Sequence, residues 1–205
     1  MKLKLIATDF AIDLGTSNIL VYKKGEGLII NEPSSLVLDD NYQKVLAVGQ
    51  EAKDMLGKTH QDIQVVKPIK NGVITDFNLT EAMLNYFFEK VNEGFSFIQP
   101  KVVIVIPSGI TDIQKRAVED AALHAGSRDI ILVDESLACA YGMNLSPEES
   151  KGILLINMGA GTSQVAVISL NGIVTSKTIN KGGDYLDEKI VTCLLYTSPS
   201  PRDAT

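Results

Sequence analysis

The chain opens on a strand–turn–strand unit and repeats that unit 144 positions later. In the first copy Ala11-Ile12-Asp13-Leu14 runs into Gly15-Thr16-Ser17, and Ile19-Leu20-Val21-Tyr22 runs back. In the second copy Ile153-Leu154-Leu155-Ile156-Asn157-Met158 runs into Gly159-Ala160-Gly161-Thr162, and Gln164-Val165-Ala166-Val167-Ile168 runs back. Each first strand carries a polar residue at or near its end, Asp13 or Asn157. Two domains therefore begin with the same hairpin.

A turn built from Gly, Thr and Ser exposes backbone N–H groups with little side-chain bulk, and such nests bind phosphate oxygens. Two of them on two lobes can grip a polyphosphate from opposite sides. An acid just before the first turn can hold a hydrated divalent cation against those phosphates, because Mg²⁺ usually keeps several of its waters. Either turn taken alone is equally well a tight hairpin; the pairing is what points to phosphate. Other nucleotide motifs fail on context. Gly159-Ala160-Gly161 begins like a dinucleotide fingerprint, but Gln164 follows and the chain continues as a strand. Gly57-Lys58-Thr59 ends like a P-loop, but Ala52 stands where the first glycine is required.

Between the hairpins the pattern turns from β to α/β. Leu28-Ile29-Ile30 reads as a third strand, and residues 33–66 read as a small insert bounded by Pro33 and Pro68. Thr80 opens a helix in which Ala82, Met83, Tyr86 and Phe87 recur at helical spacing. Lys101-Val102-Val103-Ile104-Val105-Ile106 is a continuous β-branched run of the kind found in strands buried on both faces. Thr111 caps a helix that Gly126 ends, Ile130–Val133 forms another strand, and residues 136–141 form a short helix stopped by Gly142. The order predicts an α/β chain of duplicated ββ(β)αβαβα domains, each a mixed sheet with helices on its faces, the second truncated.

Composition sets limits on function. The 205 residues carry a net charge of −6 and no basic run, which argues against nucleic-acid partners. Cys139 and Cys193, the two cysteines, fit neither a disulfide framework nor a zinc site and suit a reducing cytoplasm. His60 and His124 stand apart, so a histidine metal centre is not expected. Met1-Lys2-Leu3-Lys4-Leu5-Ile6 lacks the apolar core and cleavage site of a signal peptide, and no stretch reaches the ~18 apolar residues of a membrane span.

Asp13-Leu14-Gly15-Thr16-Ser17-Asn18 resembles the first phosphate loop of the superfamily that joins actin, DnaK-type chaperones and sugar kinases. Asn31-Glu32-Pro33-Ser34, Val45-Leu46-Ala47-Val48-Gly49, Asp76-Phe77 with Thr80–Leu84, Pro107-Ser108-Gly109-Ile110-Thr111 and Ala166–Ser176 resemble one branch of it, the bacterial actin-like MreB/Mbl family. The resemblance runs from about Ile12 to about Val191 and implies an actin-like (ribonuclease H-like) fold. It divides the chain into a first nucleotide-binding lobe at 1–32 and 67–145, an inserted subdomain at 33–66, the start of a second lobe at 146–192, and a tail at 193–205.

That resemblance also implies ATP and Mg²⁺ as cofactors and assigns roles by position. Asp13 would anchor the metal through water, and Gly15, Thr16, Ser17 and Asn18 would bind the β-phosphate side. Asn157, Gly159, Ala160, Gly161 and Thr162 would form the second phosphate loop, with Gly182 and Gly183 closing the back of the site. Glu135 would orient the attacking water, with Thr162 as a second catalytic residue; Glu135 reads alternatively as a helix N-terminal charge favoured by the macrodipole. The implied partners are further copies of the chain in a filament, the inner face of the cytoplasmic membrane and the cell-wall synthesis machinery. Phe95, Phe97 and Ile98, in Gly94-Phe95-Ser96-Phe97-Ile98-Gln99-Pro100, would form a membrane-inserting loop, helped by the N-terminal basic and apolar residues. A small-molecule kinase, a chaperone-type ATPase and a non-hydrolysing nucleotide-binding scaffold remain as other readings.

The chain departs from the family pattern at several positions. Asn157 stands where the family has Asp, Ala160 where it has Gly, Ser136 where it has Pro, and Gln164 where it has an acid. Asn keeps an acceptor oxygen but loses a charge beside Mg²⁺, so slow hydrolysis is expected, and Asn157→Asp is expected to speed it. After Val191-Thr192 the Ser/Pro-rich string ending Thr197-Ser198-Pro199-Ser200-Pro201 replaces the expected helix and reads as non-native sequence.

Overall fold

The computed structural model describes residues 9–39, 44–55, 64–91 and 99–197. The first-lobe sheet starts as an antiparallel meander of β1 (Phe10–Leu14), β2 (Asn18–Lys23) and β3 (Gly27–Pro33). The chain then forms the insert: β4 (Leu36–Leu38), β5 (Val45–Val48), α1 (Gln50–Met55) and β6 (Gln64–Val66), with strand order β5-β4-β6. Val37, Ala47 and Ala52 give the insert a small core of its own. Next comes a hairpin of β7 (Ile69–Lys70) and β8 (Val73–Ile74), turned by Asn71 at φ 52° and Gly72 at φ 73°. Positive φ at both central residues is the two-residue turn that Asn-Gly favours, since Asn and Gly tolerate the left-handed region.

Helix α2 (Phe77–Val91) leads to β9 (Lys101–Ile106), α3 (Asp112–His124), β10 (Asp129–Asp134) and α4 (Glu135–Gly142). Strands β9 and β10 add in parallel to the meander, giving the order β10-β9-β1-β2-β3. The first core lies between this sheet and α2 and α3, where Ile12, Ile19, Val21, Leu84, Phe87, Ile104 and Ala121 are buried. Alternation is regular along β9: Val102, Ile104 and Ile106 are buried, and their neighbours are partly covered.

The second copy of the hairpin is β11 (Ile153–Met158) and β12 (Ser163–Ser169), extended by β13 (Gly172–Ile179) into an antiparallel sheet, and α5 (Gly183–Thr197) follows. The mixed α/β expectation and the duplicated hairpin are both present. Helix α4 joins the lobes: it leaves the end of β10, and Ala140 packs with Leu155, Ala166 and Ile168 of the second sheet. The residue that opens α4 therefore lies where the lobes meet.

Two local expectations are corrected. Helix α2 begins three residues before Thr80, at Phe77, because Asp76 Oδ1 accepts from the Leu79 N–H at 3.0 Å and caps the helix. Thr80 is buried inside α2 and bonds back to the Asp76 carbonyl at 2.7 Å. At the other end, helix α5 runs on through Cys193-Leu194-Leu195-Tyr196-Thr197 instead of stopping near Val191. Those residues continue the helical run, and the helix-breaking prolines come only after it. Residues 198–205 and the proposed membrane loop, with Phe95, Phe97 and Ile98, lie outside the described residues.

Candidate functional site

The two glycine turns face each other across a cleft of about 600 Å³. Asp13, Gly15, Thr16, Ser17 and Asn18 line one side, Asn157, Gly159, Ala160, Gly161 and Thr162 the other, and Glu135 lies between them. Parallel pairing accounts for part of this. The C-terminal ends of β1, β9 and β10 fall side by side, Asp13 opposite Val105 and Asp134 opposite Ile106. Ligand sites of open α/β sheets form at such ends.

The turns are shaped for close approach. A Cβ on Gly15 would lie 2.4 Å from the Asn18 carbonyl, so only glycine closes this hairpin without moving the chain. A Cβ on Gly161 would lie 2.7 Å from Thr16 Oγ1 and 3.0 Å from the Asn71 backbone. The two glycine turns and the Asn71-Gly72 turn thus meet at one point, and Thr16 Oγ1 accepts from the Gly72 N–H at 3.1 Å. The sequence reading missed this third element, although the Asn-Gly dipeptide is a strong hairpin signal. Asn18 donates to Asn31 Oδ1 at 2.9 Å, which ties the first loop to β3.

The backbone donors divide between structure and solvent. The Gly159 N–H closes its own turn on the Thr162 carbonyl at 2.8 Å. The Gly15 N–H faces the Asn18 carbonyl at the end of the β1–β2 ladder in the same way, whereas the N–H groups of Thr16, Ser17, Ala160 and Gly161 have no protein partner among the described residues. They are the donors available to an anion. Gly182 and Gly183 do not line the cleft. The Gly183 and Asp184 N–H groups bond the Gly159 and Ala160 carbonyls at 3.0 and 2.9 Å, holding the second loop from behind. A Cβ on Gly182 would sit 2.3 Å from the Ala160 carbonyl oxygen and 2.4 Å from that of Gly159. Gly182→Ala is therefore expected to destabilise the protein by about 1–3 kcal/mol, the ordinary range for overpacking. Thermal melts check this, and a melting curve equal to wild type would show that the loop yields freely.

Two half-buried acids, Asp13 and Glu135, dominate the electrostatics. Burial pushes the Asp13 carboxyl above its ordinary range. Glu135 is pushed up by burial first and then by the negative charges of Asp13 and Asp134, with the Asn157 hydrogen bond pulling the other way. Asn157 Nδ2 donates to Glu135 Oε1 at 2.6 Å. Among the described residues Glu135 Oε2 has no donor, so one oxygen is anchored and the other is left to accept from a water. Asp134 is fixed as the cap of α4, accepting from the Ser136 N–H at 2.8 Å and from the Ser108 hydroxyl. The Cys139 thiol, also in the cleft, is raised by burial and by Glu135, Asp13 and Asp134.

The donor set fits a nucleotide with a hydrated cation. Among the described residues no three His, Cys, Asp or Glu side chains gather to cage a metal. Asp13 at the end of β1, beside the glycine turns, is an arrangement that suits Mg²⁺, which takes its other ligands from water and phosphate.

Behind Asn157 lies Gln164, its cross-strand partner on β12. Gln164 is 1% exposed, and neither of its amide atoms has a hydrogen-bond partner. A buried polar group left this way costs roughly 1–3 kcal/mol.

Comparison with known proteins places this geometry in a family. The MreB/Mbl family profile matches residues 7–196. The cell shape-determining protein MreB of Haemophilus influenzae is 42% identical over 198 residues, covering 94% of this chain and 56% of that protein. The cell shape-determining protein Mbl of Bacillus subtilis is 41% identical over 187 residues, covering 91% of this chain and 56% of that protein. Among solved structures, MreB5 of Spiroplasma citri bound to ADP superposes with a TM-score of 0.86 at 32% identity, covering 93% of this chain and 57% of that one. The chain thus spans little more than half the length of the relatives it matches. With its paired loops, its five-stranded mixed sheet and the family match over most of its length, the chain belongs to the MreB/Mbl family and has the actin-like fold.

Proposed function

We propose that this chain is the nucleotide-binding front half of an actin-like ATPase that forms filaments and maintains cell shape. The observation that carries the reading is the cleft itself: two glycine turns with unpartnered N–H groups, Asp13 at the end of β1, and Glu135 between the lobes. The ADP bound to the S. citri relative, whose chain superposes on nearly all of this one, supports a nucleotide in that cleft.

In this reading the turn of Gly15, Thr16, Ser17 and Asn18 holds the β-phosphate side, and the N–H groups of Ala160 and Gly161 hold the γ-phosphate side. Asp13 holds Mg²⁺ through water, and the ion's charge offsets that of the phosphates. Glu135 Oε2 accepts a hydrogen bond from the attacking water while Asn157 fixes Oε1, and Thr162 lies close by in the second loop. Positioning of this kind supplies most of the rate in phosphoryl transfer, because the protein has little covalent chemistry to perform. The products are ADP and phosphate.

Filament assembly, attachment at the inner face of the cytoplasmic membrane through Phe95, Phe97 and Ile98, and coupling to cell-wall synthesis complete the proposal. Among the described residues no helix is long and apolar enough to cross a membrane, so attachment would be peripheral. Sedimentation of the full-length protein tests the reading. Material should pellet with MgATP and remain in the supernatant with EDTA. Turnover of ATP without any pelleted polymer would favour a kinase or chaperone of the same fold, and nucleotide-dependent pelleting without phosphate release would favour a non-hydrolysing scaffold.

A further inference from the structure

The structure assigns Asn157 and Gln164 as a pair of uncharged positioning residues that hold Glu135 in place, Asn157 directly and Gln164 from beneath. The assignment rests on the nucleotide-hydrolysing reading of the cleft and names residues that act through its water-orienting carboxylate. Three observations support it.

The first is the contact itself. Asn157 Nδ2 donates to Glu135 Oε1 at 2.6 Å, joining β11 of the second lobe to the first residue of α4. Asn157 presents a donor to that carboxylate, where the family's Asp would set two carboxylates in contact unless a cation or a proton lay between them. The amide removes that conflict and leaves Glu135 Oε2 uncommitted.

The second is register. Asn157 and Gln164 are paired across β11 and β12, so their side chains leave the same face of the sheet and their Cβ atoms lie roughly 4.5–5.5 Å apart. An amide at each position brings a donor and an acceptor within reach of one another after a side-chain rotation. Asn157 spends its N–H on Glu135, which leaves Oδ1 to accept from Gln164 Nε2.

The third is the state of Gln164. It is almost wholly buried, and both of its amide atoms lack partners. A side chain that served packing alone would be better replaced by an apolar one of the same size, because the orphaned amide works against the fold. Its cross-strand partner on β13 is Thr178, whose hydroxyl donates to the Ser108 carbonyl at 3.1 Å, and Ala166 beside it is apolar. Across β11 and β12 its polar partner is Asn157.

The experiment measures single-turnover ATP hydrolysis, ATP affinity and melting temperature in the full-length protein. Gln164→Leu and Gln164→Met should melt at a higher temperature than wild type yet hydrolyse on the order of tenfold more slowly, with ATP affinity changed by less than about threefold. Asn157→Ala should slow hydrolysis by about 10–100-fold, again with affinity little changed. In a Glu135→Ala background neither substitution should slow hydrolysis further, since both act through that carboxylate. A Gln164 variant that gains stability and keeps wild-type turnover overturns the assignment. So do effects that multiply in the Glu135→Ala background, or a collapse of ATP affinity in Asn157→Ala, which would make Asn157 a nucleotide ligand. A wild-type protein that binds no nucleotide overturns the reading of the cleft itself, an outcome separate from these.

Discussion

Glu135→Ala slows ATP hydrolysis in the full-length protein by about 10²–10⁴-fold while ATP binding stays near wild type, the loss expected when a positioning or general-base group is removed. The geometry separates the two effects. In the proposed reading phosphate would be held by backbone N–H groups of the two turns, none of which bonds Glu135. Glu135 instead opens α4, is anchored through Oε1 by Asn157, and offers Oε2 to water. The same residue sets the pH profile. Burial and the charges of Asp13 and Asp134 raise its pKa, so the acceptor form is reached only as pH climbs above the usual carboxylate range. Hydrolysis should therefore rise with pH through that elevated value, and Glu135→Ala should flatten this limb. A mutant with undiminished turnover, or one that keeps the wild-type pH limb, would remove Glu135 from the water-orienting role.

The two glycine turns were legible in the sequence because their cause is local. Gly15 and Gly161 are required where a Cβ would strike a neighbouring backbone or side chain, and the polar residue at the end of each buried strand marks the spot. The buried run of β9 and the capping box of Thr111 with Gln114 are local in the same sense. What was not legible depends on contacts between distant segments. The Asn157–Glu135 hydrogen bond joins residues 22 positions apart on different lobes, and nothing in either stretch announces it. Read alone, Asn157 suggests only a lost charge. In place, it is the donor that holds a carboxylate, and on that account Asn157→Asp need not speed the reaction. Gln164 was visible as a departure from the family pattern, but its burial is a property of the α4–β12 packing. Gly182 and Gly183, expected to close the back of the site, brace the second loop from behind, and neither lines the cleft. The α2 start was misplaced because Asp76 and Thr80 are both good caps on paper, and the chain uses Asp76.

Asp13→Asn should weaken MgATP binding by roughly 10–100-fold, the range for losing a group that organises a metal, and at the same time raise the melting temperature of the nucleotide-free protein. The two effects share one cause. Asp13 is held by β1 between β2 and β9 at the floor of the cleft, and burial raises its pKa above the ordinary 3.8. The folded state therefore binds its proton more tightly than the unfolded chain does. Between the ordinary and the raised values the native protein carries more protons, so stability falls as pH rises through that window, and the penalty persists above it. Asparagine has the same shape without the charge, and removes the penalty at neutral pH. The substitution also removes the carboxylate that would hold the ion's water shell, so ATP affinity should become insensitive to Mg²⁺, with the same value in EDTA as in magnesium. Calorimetric titration with and without Mg²⁺, paired with thermal melts across the acid range, checks both halves. If Asp13→Asn still binds ATP more tightly with magnesium than without, the metal is held elsewhere in the cleft. If it melts no higher than wild type at neutral pH, Asp13 is not the strained buried charge its position at the end of β1 implies.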